Sequence, residues 1–300
     1  MTDTTDETAA SKPNAQSGQP KTWLITVANS GFGRILTEKL LLRGDRVAAT
    51  VRRPESLSDL SALYGDRLWI GALDLAEGPK VGEVIDRAFA ELGRIDVIVS
   101  NAGYGVFGAA EEVSDEALVS VVEINLLGSI RLIRAALPHL RAQGGGRVLQ
   151  VSSEGGQIAY PGFSVYHASK WGIEGYVEAV AQEVKPFGIQ FTLVEPGASR
   201  TNFGTGIVRA EPLAVYDGTP VHDLWDAFAA GDWVIAGDPD RMVEAMIASA
   251  DAAKAPMRLT LGADAYRNIR DRLGERIAEL EAQKDTAVSS DFTAEELARM

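Results

Sequence analysis

The sequence predicts an α/β fold built on one doubly wound parallel sheet, and three observations point to it. Short apolar runs alternate with segments of helical spacing over residues 22–262. The runs are almost continuously apolar, as strands covered on both faces are. Successive strand–helix–strand units of this kind close into a single sheet with right-handed crossovers.

The elements follow in order. TWLITVA (Thr22–Ala28) is the first strand, and GRILTEKLLLRG is helical until Gly44 stops it. RVAATV (Arg46–Val51) is the second strand; RLWIGALDL (Arg67–Leu75), after a short helical stretch, is the third. A helix is predicted over about residues 79–93, leading into IDVIVSNAG (Ile95–Gly103). A long helical region runs from about Asp115 to Arg141 and ends at three glycines. RVLQVSS (Arg147–Ser153) is the next strand, followed by a helix from about Ser164 to Phe187 closed by Gly188, and by the strand IQFTLVEPG (Ile189–Gly197).

Residues 198–237 break the rhythm with scattered Gly and Pro and the aromatics Phe203, Tyr216, Trp225, Phe228 and Trp233. An irregular insert of that length reads as a lid, its aromatics serving either a substrate pocket or the packing of the lid itself. A helix over about residues 239–252, the strand MRLTLG (Met257–Gly262) and a charged amphipathic C-terminal helix at about 263–284 complete the pattern. With no repeat and no linker, residues 21–300 read as a single domain with a lid insertion, preceded by a polar arm over residues 1–20 expected to be disordered.

Composition narrows the function. A net charge of −13 repels nucleic acid and anionic membranes, so neither is an expected partner. No apolar run is long enough to span a bilayer. The absence of cysteine excludes disulfides and thiolate chemistry, no His/Asp/Glu grouping has metal-ligand spacing, and the expected location is the cytoplasm.

Several polar features converge on one rim of such a sheet. In the first βα turn, Asn29-Ser30-Gly31-Phe32-Gly33 opens a helix, and exposed backbone N–H groups there suit a pyrophosphate. The second strand ends in Arg52-Arg53 with no acid, which favours the 2′-phosphate of NADP(H) over the free ribose of NAD(H). Tyr166 and Lys170 stand four apart on a helix and share a face, where an ammonium can depress a phenol. Ser153, Asn101-Ala102-Gly103 and Pro196-Gly197 all fall at carboxyl ends of strands, where open sheets bind ligands.

With these residues in their order and spacing, together with Asp74-Leu75, Asn125 and PGASRT (Pro196–Thr201), the stretch from about Trp23 to Gly262 resembles the classical short-chain dehydrogenases/reductases, Rossmann-like enzymes. The segment from Pro161 to Gly197 is similar to a bacterial branch related to 17β-hydroxysteroid dehydrogenases. The resemblance implies an NADP(H)-dependent interconversion of a small-molecule carbonyl and alcohol. Tyr166 would be the general acid/base, Lys170 the ribose ligand that lowers its pKa, and Ser153 the ligand of the substrate carbonyl. Asn125 would hold a relay water, Asp74 would meet the adenine, Asn101–Gly103 would line the adenosine ribose, and Thr201 would bind the carboxamide. It also implies paired long helices across a two-fold axis, in a homodimer or homotetramer. The spacing sets Ser152 aside, as does its place on the opposite face of the strand.

One position departs from the pattern. Val27 stands where the family's first glycine belongs, and valine is stiff and poor at positive φ. A second function class, a catalytically weak nucleotide-sensing or protein-interaction module, rests on that valine alone. His139 and His222 are expected to be structural or exposed and His167 to have no role; Glu154 either touches the substrate or, the preferred reading, lies on a loop surface.

Overall fold

The computed structural model describes residues 19–231 and 235–300. Most of the predicted arm, and Trp233, lie outside them.

Seven strands form one parallel sheet in the order β3-β2-β1-β4-β6-β7-β9. These are β1 (Thr22–Thr26), β2 (Arg46–Val51), β3 (Leu68–Ala72), β4 (Val97–Ser100), β6 (Gly146–Val151), β7 (Ile189–Pro196) and β9 (Arg258–Leu261). A separate parallel pair joins β5 (Val106–Phe107) to β8 (Val208–Arg209). The main helices are α1 (Gly31–Arg43), α2 (Ser58–Tyr64), α3 (Gly78–Leu92), α4 (Asp115–Val121), α5 (Ser129–Ala142), α6 (Ser164–Val184), α7 (Pro220–Ala230), α8 (Pro239–Asp251) and α9 (Ala263–Glu281). The doubly wound parallel sheet predicted from the alternating pattern is thus the fold.

Strand alternation builds two cores. Leu24 and Ile98 face α3, α5 and α6, meeting Ile85, Leu132 and Ile173. Their neighbours Trp23, Ile25, Val97 and Val99 face α1 and α8, meeting Leu36, Leu40 and Met246. This period of two explains why each strand is apolar throughout.

The order of winding reverses at β1, which pairs with β2 on one side and β4 on the other. The carboxyl ends of β1 and β4 therefore diverge into a crevice, the ligand position of such sheets. Three features depart from the expected elements. The long helix between Asp115 and Ala142 is interrupted by a π-helical stretch, Val122–Gly128. The insert at 198–237 is not wholly irregular: Pro220 starts an eleven-residue helix that Gly231 stops at φ 77°. The helix ending near Phe187 turns 3-10 from Lys185, because Pro186 has no N–H to continue it.

Candidate active site

A cleft of about 1100 Å³ opens at the crevice. Asn29, Ser30, Gly31 and Phe32 line it, with Arg52, Asp74, Leu75, Asn101, Ala102, Gly103, Ser153, Tyr166, Lys170, Pro196, Gly197 and Thr201. Of the residues singled out from the sequence, Gly33 and Asn125 sit behind its surface, both buried.

The cofactor end begins with β1. Val27 is held at φ 52°, the one non-glycine at positive φ among the described residues. That left-handed conformation costs a β-branched residue about 1–2 kcal/mol. Asn101 holds the turn in place: its amide nitrogen donates to Thr26 O at 3.1 Å and Val27 O at 3.5 Å. Gly33 is required by close approach, since a Cβ there would lie 2.2 Å from Val27 O. Ser30 caps α1 by its backbone conformation, with no side-chain cap bond. Arg52 and Arg53 face the cleft with no ion pair to any described residue. Glycine turn, helix N-terminus and two uncommitted guanidiniums together fit a dinucleotide.

The catalytic wall is assembled by β6 and α6. Ser153 leaves β6 extended, its Oγ accepting from Gly155 N at 3.0 Å and lying close enough to the Tyr166 phenol to favour its ionisation. Lys170, one turn along α6, donates from Nζ to Val151 O at 3.1 Å and lies 5.7 Å from the centre of the Tyr166 ring. Burial pushes the lysine down to about 8, opposed by the charge of Glu174. Burial pushes the Tyr166 phenol up to about 12, although the Ser153 hydroxyl lowers it. The depressed tyrosine expected from the Tyr–Lys spacing is therefore not found: Nζ is turned to a main-chain carbonyl, and loss of water outweighs the remaining help.

Asn125 lies in the π-helical stretch. Its Nδ2 donates to Tyr104 O at 2.9 Å and Ser169 Oγ at 3.2 Å, and its Oδ1 accepts from Tyr104 N at 3.1 Å. It ties the loop after β4 to α6. Ser152 also lines the cleft, but its hydroxyl is committed, donating to Glu174 Oε1 at 2.5 Å. Glu174 and fully buried Glu195 share Arg258.

Sequence reasoning missed several residues. His167 is buried; its Nε2 accepts from Tyr160 N and its Nδ1 meets Gly155 O, each at 2.8 Å, pinning the loop after Ser153. Glu154 is not on a loop surface but 8% exposed, bonded by Asn268 Nδ2 at 3.0 Å, which also donates to Tyr160 Oη at 3.2 Å. His222 is structural, one of the two states expected of it, and only its partners were unforeseen: it is clasped between Glu112 at 2.8 Å and Asp217 at 3.1 Å, fastening α7 to the loop before α4. These partners are far apart in sequence, so no local spacing announces them. The aromatics of the insert divide. Phe203, Trp225 and Phe228 line the cleft, continuous with Phe107 and Phe163, while Tyr216 bonds Glu111.

Residues 21–212 match the model of the short chain dehydrogenase family. The chain belongs to that family. Among short-chain dehydrogenase relatives, human 17-beta-hydroxysteroid dehydrogenase type 1 is 32% identical over 256 residues, 78% of this chain and 75% of that protein. A solved short-chain dehydrogenase from Streptomyces avermitilis superposes with a TM-score of 0.84 at 39% identity, covering 91% of this chain and 98% of that one. An alcohol dehydrogenase from the archaeon Thermococcus sibiricus, complexed with 5-hydroxy-NADP, gives a TM-score of 0.65 at 26% identity, covering 81% and 96%. As a short-chain dehydrogenase, the protein is an oxidoreductase of small carbonyl or alcohol compounds with an NADP- or NAD-type cofactor. Among the described residues, no helix of this short-chain dehydrogenase is long and apolar enough to cross a membrane.

Proposed function

We propose that the protein is an NADP(H)-dependent oxidoreductase that interconverts a carbonyl and an alcohol, with Tyr166 as general acid/base. The observation that carries this reading is the convergence of Ser153, Tyr166 and Lys170 on one wall, opposite an aromatic one. A bound nicotinamide supplies or accepts the hydride. Ser153 Oγ holds the substrate oxygen beside the phenol, and Tyr166 gives that oxygen its proton in reduction or takes it in oxidation. Lys170 is protonated below about pH 8 and places positive charge by the phenol. Lys170 Nζ and Asn125 Oδ1 both flank Gly103, and water held there relays the proton.

At the other end of the cleft, Ser30 and the N–H groups of α1 receive the pyrophosphate. Asp74 meets the adenine, and Thr201, facing Gly31 across the crevice, meets the carboxamide. The unpaired Arg52 and Arg53 favour NADP(H). The aromatic wall of Phe107, Phe163, Phe203 and Trp225 favours an apolar substrate body.

NADPH consumption across a panel of ketones and aldehydes tests the reading. Turnover on at least one, reduced about a thousandfold or more in Tyr166→Phe, is expected. Tight NADPH binding without turnover on any substrate would favour the second reading, a nucleotide sensor, for which the strained Val27 turn is the one specific sign.

A further inference from the structure

Beside the proton-transfer residues is a group they do not use. Glu154 directly follows Ser153, is 8% exposed and lines the cleft. Among the described residues no cation pairs with it: the Asn268 amide donates to it at 3.0 Å and to Tyr160 Oη at 3.2 Å, which sets the Tyr160 phenol beside the carboxylate. Three elements converge here, the turn after β6, the loop before α6 and the C-terminal helix α9. All three residues line the same cleft. A buried carboxylate held by neutral donors alone is costly. Carboxylate and phenol offer a ligand hydroxyl an acceptor and a donor.

We infer that Glu154, Tyr160 and Asn268 form a hydroxyl-recognising subsite, so that the preferred substrate is a hydroxy ketone or hydroxy aldehyde with an apolar body. The hydroxyl donates to Glu154 and accepts from the Tyr160 O–H, both Asn268 Nδ2 protons being taken by Glu154 and Tyr160 Oη, while the carbonyl rests on Ser153 and the apolar body lies on the aromatic wall. Ser153 and Glu154 line one cleft, so a single small molecule can present its carbonyl to one and its hydroxyl to the other. A cationic substituent is the less suited partner: burial, with a smaller contribution from the charge of Asp264, raises the Glu154 carboxyl above the usual range and weakens its hold on a positive charge.

The subsite rests on the oxidoreductase reading for its substrate, but its test does not. Calorimetry on the NADP⁺-loaded protein compares benzylacetone, the aldol of benzaldehyde with acetone, which adds one hydroxyl β to the carbonyl, and the corresponding β-amino ketone. Binding of the hydroxy ketone about tenfold to a hundredfold tighter than benzylacetone is expected. That ratio falls towards one in Glu154→Leu, is partly kept in Glu154→Gln, and declines in Tyr160→Phe, with thermal melting confirming that each variant is folded. A wild-type ratio below about threefold, a ratio retained in folded Glu154→Leu and Tyr160→Phe, or tightest binding of the amino ketone would overturn the assignment. Parallel assays of NADPH oxidation separate the two readings: discrimination in binding without turnover on any ketone leaves the subsite standing and removes the oxidoreductase.

Discussion

Val27 is the residue at which this chain pays most visibly for its turn. Substituting glycine removes the Cβ that resists φ 52° while conceding some chain entropy, so Val27→Gly should gain about 0.5–1 kcal/mol in denaturant unfolding. It should also tighten NADPH binding, because side-chain bulk leaves the rim; equal or weaker affinity by fluorescence titration would count against that. Arg52 makes a sharper case. Arg52→Ala should weaken NADPH about tenfold or more and leave NADH unchanged, since only the 2′-phosphate meets the guanidinium. Unaltered NADPH affinity would move that role to Arg53. Both residues were legible from sequence, because a βα turn and the end of the second strand have fixed places in this sheet. Glu154 and Asn268 were not: they are 114 positions apart, and only the docking of α9 brings them together.

At the scale of elements, strands and long helices could be read because each obeys one period. The π-helical stretch could not, because one wider turn leaves the apolar rhythm almost unchanged, and β5 and β8 are too short at two residues each to carry any. The fastening of α7 was hidden for another reason. His222 faces a carboxylate oxygen through each ring nitrogen, an arrangement that only the doubly protonated imidazolium satisfies on both sides. The bond to Glu112 raises its pKa against the opposing effect of burial, with help from Asp217. Glu112, also bonded by Leu213 N and Ala109 N, is held below its usual range despite burial, and so stays charged. Tyr216 and Glu111 complete the surroundings of the ring. A raised folded value means docking that is fully supported below the unfolded pKa of about 6.5 and is lost as pH rises through the folded one. Hydrogen exchange in α7 should therefore quicken with pH beyond its intrinsic pH dependence. His222→Gln should remove that extra dependence, and an unchanged profile would exclude the imidazolium as the fastener.

Across the whole molecule, the ion cluster of Glu174, Glu195 and Arg258 couples the edge strand β9 to β7 and to the catalytic helix α6. It lies behind Ser152, so the loop bearing Ser153 is supported from the rear by charge and from the front by His167. Arg258→Met would strand two buried carboxylates. It should cost about 3–5 kcal/mol in denaturant unfolding and lower kcat through a loosened Ser153 loop. Joint replacement of the three by apolar residues should recover stability without recovering kcat. Full stability in the single variant would mean that water reaches the cluster. The sheet order was legible because strand–helix alternation permits few topologies; this cluster was not, since its members belong to three elements whose apposition only the finished sheet defines.

The tether between Asn101 and the Val27 turn has a consequence in time. The amide that holds the strained turn arrives 74 residues later in the chain, on the strand that must first dock beside β1. Until then valine has every reason to relax away from the left-handed region. The first turn to be synthesised should thus be among the last to set, waiting on a long loop closure. The nucleotide cradle is then a late product of folding rather than its seed.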